Sequence, residues 1–143
     1  MFKTILVPVD GSTGSERVLL FAEHMARRDQ AQIVVLHAYA LPDAYSWTSG
    51  YADLAARYEQ IANEVVQDAM DALQNAGVQA SADVRQGNPV DAILVAADLH
   101  QADLIVMGSR TRKSDNVTEA LLGMGSVSSG VLLRTYCPVL VVP

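Results

Sequence analysis

Thr4-Ile5-Leu6-Val7-Pro8-Val9-Asp10-Gly11-Ser12 decides the fold. Six apolar or β-branched residues end abruptly in an Asp-Gly-Ser turn, the pattern of a buried strand that stops at the edge of a sheet. A helix follows, with Ser15 as its predicted cap and Val18, Leu19, Ala22 and Met25 on one face by three-and-four spacing. A strand too apolar to face water, followed at once by a helix, is half of a β-α-β unit. The rest of the chain repeats it.

Outward from that unit, Gln32 to Tyr39 is a second strand, and Leu41 to Gly50 an aromatic-rich loop. A long amphipathic helix is predicted from about Tyr51 to Asn75, because Leu54, Tyr58, Ile61, Val65, Ala69 and Leu73 keep a helical period and Gly77 follows as a stop. Val78 to Arg85 is a third strand. Asn88 is placed to cap the next helix, with Pro89 in its first position, and that helix reaches about His100. Leu104 to Met107 is a fourth strand, Ser126 to Arg134 a last helix and Val139 to Val142 a fifth strand. The order βαβαβαβαβ specifies an α/β fold, an open parallel sheet covered on both faces by right-handed crossovers. Ligands of such sheets bind beyond the carboxyl ends of the strands, where the strand order reverses. Asp10, Tyr39 and Gly108 stand at such ends.

The composition sets limits. At 143 residues, half of them apolar, the chain is expected to form one domain with its own core. A net charge of −6 argues against a sequence-independent grip on nucleic acid, which needs Lys and Arg to neutralise several phosphates. The single Cys137 cannot make an intrachain disulfide, and Met1-Phe2-Lys3 does not open a secretory leader, so a cytoplasmic protein is expected. Apolar runs are too short to cross a bilayer, which takes roughly 20 residues. No repeat or low-complexity segment is present.

Several chemistries can be weighed against the residues. Asp10 can contact ribose hydroxyls or a cation, or cap the following helix as a turn residue. A phosphatase with an Asp-x-Asp strand end would need a nucleophilic carboxylate where Pro8 stands. The segment from Gly108 to Ser126 lacks the Gly-Lys-Ser/Thr ending of a P-loop, and Gly123-Met124-Gly125 follows the wrong strand for a dinucleotide fingerprint, with Ser128 in place of the third glycine. Even so, Gly108 at a strand end and Gly125-Ser126 opening a helix would present backbone N–H groups to a phosphate. Arg110, Arg112 and Lys113 can pair with phosphate oxygens or belong to a solvated loop. Ser109, Thr111, Ser126, Ser128 and Ser129 are candidate hydroxyl ligands or phosphorylation sites, with Ser126 also a candidate helix cap.

His24, His37 and His100 have no metal-ligand spacing with each other or with Cys137, so each is read as structural and Cys137 as a small buried hydrophobe. Tyr45, Trp47 and Tyr51 form a lid or interface patch, or pack on the long helix. No general base or metal cage is apparent, so any hydrolysis would rest on Asp10 and a bound divalent cation.

Taken together, Ile5 to Ser12, Leu36-His37-Ala38, Gly87-Asn88-Pro89, Asp103 to Gly108 and Cys137-Pro138-Val139-Leu140-Val141-Val142 resemble the universal stress protein family over essentially the whole chain. The resemblance implies a single domain over 1–143, of the adenine nucleotide alpha hydrolase-like type, with five parallel strands in order 3-2-1-4-5. It implies a homodimer through Val139–Val142, an unidentified protein partner, and, in one branch of the family, ATP at the sheet mouth. By the same resemblance the backbone near Val9 and Ala38 frames adenine, Asp10 approaches the ribose, and Gly108, Gly125, Ser126 and Val127 hold phosphates; Pro8, Met107 and Arg110 complete the expected nucleotide-binding set.

The nucleotide-binding branch carries Gly, two residues, Gly, nine residues, then Gly-Ser or Gly-Thr. Here Thr111 replaces the second glycine, and residues 112–124 are thirteen where the pattern has nine. A β-branched residue in a positive-φ loop costs on the order of 1–2 kcal/mol, so the loop is expected to take another path. The expectation is a stress-response regulatory protein that binds ATP, or AMP or ADP more readily, with or without Mg²⁺, and at most hydrolyses ATP slowly. The alternative is an interaction protein of the same fold that works through its dimer surface without a nucleotide.

Overall fold

A computed structural model describes residues 1–43, 46–109 and 125–143. The described elements are β1 (Thr4–Pro8), α1 (Thr13–Asp29), β2 (Gln32–Tyr39), α2 (Tyr51–Asn75), β3 (Ala80–Gln86), α3 (Pro89–Leu99), β4 (Leu104–Gly108), α4 (Ser126–Arg134) and β5 (Val139–Val142). Every strand pair is parallel and the order across the sheet is β3-β2-β1-β4-β5. The predicted fold class and strand order hold.

Alternation along the buried strands sorts their side chains into two cores. Ile5, Val7, Ile33, Val35, Leu104 and Val106 face Val18, Ala22 and Ala26 of α1 and Val66, Ala69 and Leu73 of α2. Leu6, Val34, Leu36, Ile105 and Met107 face Ile93, Ala96 and Ala97 of α3 and Val131 of α4. Both faces are covered, which is why the strands read as continuous apolar runs. Asp103 fastens the chain's start to β4: its carboxylate accepts from the N–H groups of Lys3 at 2.8 Å and Thr4 at 3.1 Å.

Three local readings shift. The helix after the first turn starts at Thr13 with Ser12 in the cap position. Ser15 lies inside its first turn, where its hydroxyl donates to Asp10 instead of capping. Val78 is not in β3, which starts at Ala80. It closes the end of α2 instead, donating its N–H to the Leu73 carbonyl at 3.0 Å while Gly77, at φ +76°, donates to Gln74. That pair of bonds is a Schellman closure, and its accompanying apolar contact buries Val78 near Leu73.

The packed stripe of α2 is Ala62, Val66, Ala69 and Leu73. Leu54, Tyr58 and Val65 are half-buried and Ile61 is exposed, so the predicted face is rotated and holds only in the C-terminal half. Length explains this. Twenty-five helical residues span roughly 37 Å, whereas the eight of β2 span about 26 Å. The first turns of α2 run past the sheet's carboxyl edge with nothing deep to pack on.

Candidate functional site: a cleft at the strand ends

β1 sends the chain to β2 on one side and receives β4 on the other, so the crossovers diverge beside the carboxyl ends of β1 and β4. A cleft of about 800 Å³, counting its open mouth, lies there. Its floor is Leu36, Ile93 and Met107, and its walls include Pro8, Val9, Ala38, Gly108 and Val127. Asp10, Ser12, Gly14 and Ser15 edge it on the α1 side. An apolar slot with a few polar groups at one rim is the usual build of a small-molecule site.

The polar rim is held by the turn after β1. Asp10 Oδ1 accepts from Ser12 N–H at 2.9 Å and from the Ser15 hydroxyl at 3.0 Å, so one carboxylate oxygen is fixed and the exposed carboxylate is presented at the mouth. Gly11 makes the turn possible: at φ +80° an L side chain is strained, and a Cβ would come within 3.1 Å of Val65 Cγ2 on α2.

Between β1 and β2 the ladder stops at a particular rung. Val9 N–H donates to the Leu36 carbonyl at 2.8 Å. The next rung would run from Ala38 N–H to the Val9 carbonyl, but that carbonyl accepts instead from His37 Nδ1 at 2.7 Å. Since a carbonyl only accepts, Nδ1 carries the ring proton. Among the described residues the Ala38 rung is not formed. Residues 36 and 38 of a parallel strand aim their peptide groups to the same side. The Ala38 amide is thus turned toward the cleft without a sheet partner. Sequence reading placed His37 as structural; its bond to Val9 is structural, and it leaves Ala38 available.

The α4 side offers a different chemistry. Ser109 N–H donates to the Val142 carbonyl of β5 at 2.9 Å, and Gly125 N–H donates to the Ser109 carbonyl. Gly125 is the cap residue of α4, in extended conformation, and Ser126 is the first helical residue, so Ser126 is not the cap. The Gly125 N–H is therefore spent inside the protein. The N–H groups of Ser126 and Val127 open the helix with no partner among the described residues, the arrangement that receives an anion at a helix start.

Of the ten sequence-assigned residues, Pro8, Val9, Asp10, Ala38, Met107, Gly108 and Val127 line the cleft. Gly125 and Ser126 adjoin Val127 but are not in its lining. Arg110 lies outside the described residues, as do Thr111, Arg112, Lys113 and Tyr45. Trp47 is 84% exposed and packs on nothing deep, and Tyr51 begins α2. Ser12, Ser15, Leu36, Pro89 and Ile93 were missed as cleft residues. Ser12, Ser15 and Pro89 stood out in the sequence as turn and helix-start residues, whereas lining by Leu36 and Ile93 depends on which side of the sheet each one faces.

The remaining candidates carry structural bonds. His100 Nε2 lies 2.7 Å from Asp83 Oδ2, which also receives Arg85 Nε at 3.1 Å. His24 is exposed on α1. Cys137 is half-buried, not fully buried; its thiol donates to the Ala102 carbonyl at 3.3 Å, and burial together with the Asp103 charge pushes its pKa up, which keeps it protonated. Among the described residues no group of three His, Cys, Asp or Glu side chains is arranged to hold a metal ion. No helix among them is long and apolar enough to cross a membrane.

Comparison with known proteins bears on this geometry. The family model described as the universal stress protein family matches residues 1–143. A universal stress protein of Thermus aquaticus, encoded in the QAH/OAS sulfhydrylase 3′ region, is 37% identical over 142 residues, covering 99% of each chain. The solved structure of the Methanocaldococcus jannaschii protein MJ0577 superposes with a TM-score of 0.85 at 26% identity, over 99% of this chain and 96% of that one. A universal stress protein solved in complex with cAMP gives 0.72 at 27% identity, over 99% and 97% of the two chains. The Archaeoglobus fulgidus universal stress protein in complex with dAMP gives 0.69 at 26%, over 99% and 98%.

Proposed function

The chain belongs to the universal stress protein family, and from that premise we propose that it is a stress-response regulatory protein that binds an adenine nucleotide in the cleft. The observation that carries the reading is the unpaired Ala38 amide beside an apolar slot, in a fold two of whose relatives were solved with cAMP and dAMP. An adenine ring matches that site: its faces are apolar and its edge alternates acceptor and donor. In this reading adenine lies between Val9 and Met107 with its edge on Ala38, and Asp10 accepts from the ribose hydroxyls. The phosphate meets Gly108 and the N–H groups of Ser126 and Val127. Gly125 contributes shape, since its own N–H is used.

AMP or ADP is held more readily than ATP, because Thr111 stands where the nucleotide-binding pattern has its second glycine. A divalent cation would find Asp10 and the phosphates themselves, the sparse protein donor set usual for Mg²⁺. It would neutralise phosphate charge, and without a general base any hydrolysis is slow. We also read the 143 residues as a single cytoplasmic domain that forms a homodimer along the outer edge of β5.

Calorimetry on nucleotide-stripped protein tests the proposal, with adenosine, AMP, ADP and ATP as titrants. Binding tighter than millimolar by AMP or ADP is expected, and no binding below that concentration by any of them refutes it. A second reading, an interaction protein without a nucleotide, draws on the projecting first turns of α2 and on exposed Trp47 and Ile61. Native mass spectrometry separates the two: co-purifying nucleotide supports the first reading, and an empty dimer indifferent to added AMP supports the second.

A further inference from the structure

Ser128 is 1% exposed, and its hydroxyl is donated to two carbonyls at once, Gly125 at 3.1 Å and Ser109 at 3.1 Å. The bond to Gly125 is the local back-bond common for serine in a helix. The bond to Ser109 crosses 19 positions of sequence and joins the exit of β4 to the first turn of α4. The Ser109 carbonyl receives Gly125 N–H as well, and the Ser109 N–H is held by Val142 of β5. The backbone of this one residue is thus held by the sheet through its N–H and by the helix start through its carbonyl. Both ends of the excursion between 109 and 125 are fixed to each other whatever lies between.

We propose that Ser128 is a positioning residue for the phosphate of the bound nucleotide: its buried hydroxyl presets the start of α4, with the N–H groups of Ser126 and Val127, against the strand end at Gly108. The proposal rests on the nucleotide reading above. It accounts for how a chain with thirteen residues in place of nine keeps the two outer parts of its phosphate site in register. Orientation of the donors is independent of the intervening length because residues 125 and 128 bond directly to residue 109.

The clamp is testable with and without ligand. In the protein without nucleotide, amide hydrogen exchange at Gly125 is expected to be slow in wild type and at least about tenfold faster in Ser128→Ala, the effect of losing one bond of ordinary net strength. Ser128→Thr, which keeps the hydroxyl, restores protection. With ligands, Ser128→Ala is expected to weaken AMP about tenfold while adenosine, which carries no phosphate, binds as in wild type. Equal loss for adenosine and AMP, or unchanged AMP affinity, overturns the positioning role. Unchanged exchange at Gly125 overturns the clamp itself. Wild-type protein that binds neither ligand, while the exchange result stands, fails the nucleotide reading and leaves the clamp intact. If Ser128→Ala does not fold, Ser128→Cys takes its place, with a weaker donor of similar size and the same two readouts.

Discussion

Gly130 sits in the middle of α4, where glycine is ordinarily a defect costing about 1 kcal/mol relative to alanine. A Cβ built there would lie 2.9 Å from Cγ2 and 3.3 Å from Cγ1 of Val90 on α3. Carbon atoms in good contact are about 3.5–4.0 Å apart, so at least ~0.6 Å must open between the helices or Val90 must rotate. Rotation is costly because a β-branched residue in a helix has one strongly preferred χ1. Overpacking of this kind costs about 1–3 kcal/mol, against a propensity gain of about 1. Gly130→Ala is therefore expected to destabilise the protein by about 1 kcal/mol net. In a Val90→Ala background both Cγ atoms are gone and the same substitution is expected to stabilise by about 1 kcal/mol, a coupling of about 2 kcal/mol. Urea unfolding of the four proteins, followed by helical circular dichroism, measures it. Equal stabilisation by Gly130→Ala in both backgrounds would refute the close approach of α3 and α4.

Asn88 Oδ1 accepts from Val90 N–H at 2.9 Å and Asp91 N–H at 3.3 Å, so Asn88→Ala should cost about 1 kcal/mol in urea unfolding and Asn88→Asp much less. The side chain of Arg28, followed by the N–H of Phe2, lowers Asp29 from the usual 3.8 to about 2. Its stabilising contribution is complete above pH 4 and is lost as the pH falls from about 4 to about 2, so Asp29→Asn should flatten acid unfolding in that window and change little near neutrality. His37→Ala returns the Val9 carbonyl to the ladder and should weaken adenosine and AMP equally, about tenfold, in calorimetry; a loss confined to AMP would contradict the placing of adenine at Ala38. Pro138 and Val142 offer their carbonyls to β4, so the amide of Val141 points to the free edge of the sheet. Val141→Pro should shift a dimer to a monomer in sedimentation velocity without unfolding it, and a persistent dimer would place the contact elsewhere.

Residue pattern alone set the order of elements, because strands buried on both faces are uniformly apolar and helices are periodic, and both signals are local. It also determined the Asn88-Pro89 helix start and the stop at Gly77, where residue chemistry alone sets the backbone. Ser15 shows the limit: its hydroxyl suits a cap, but the Asp10 carboxylate, brought close by a glycine at φ +80°, claims it. The predicted face of α2 was likewise wrong over its first half, since period says which residues share a face and not how far the sheet extends beneath them. The strand order came from resemblance, and the sheet pairing bears it out.

Which polar groups remain unused is set by tertiary packing. Val9, His37 and Ala38 are unremarkable in sequence, yet one bond from an imidazole to a carbonyl frees an amide at the mouth of the sheet. Gly125 looked like a phosphate donor and is not free to be one, whereas Ser128, by sequence a candidate hydroxyl ligand or phosphorylation site, joins the exit of β4 to the start of α4. Hydrogen-bond partners 19 or 28 residues apart are chosen by the packing of helices on the sheet, and no local pattern encodes them.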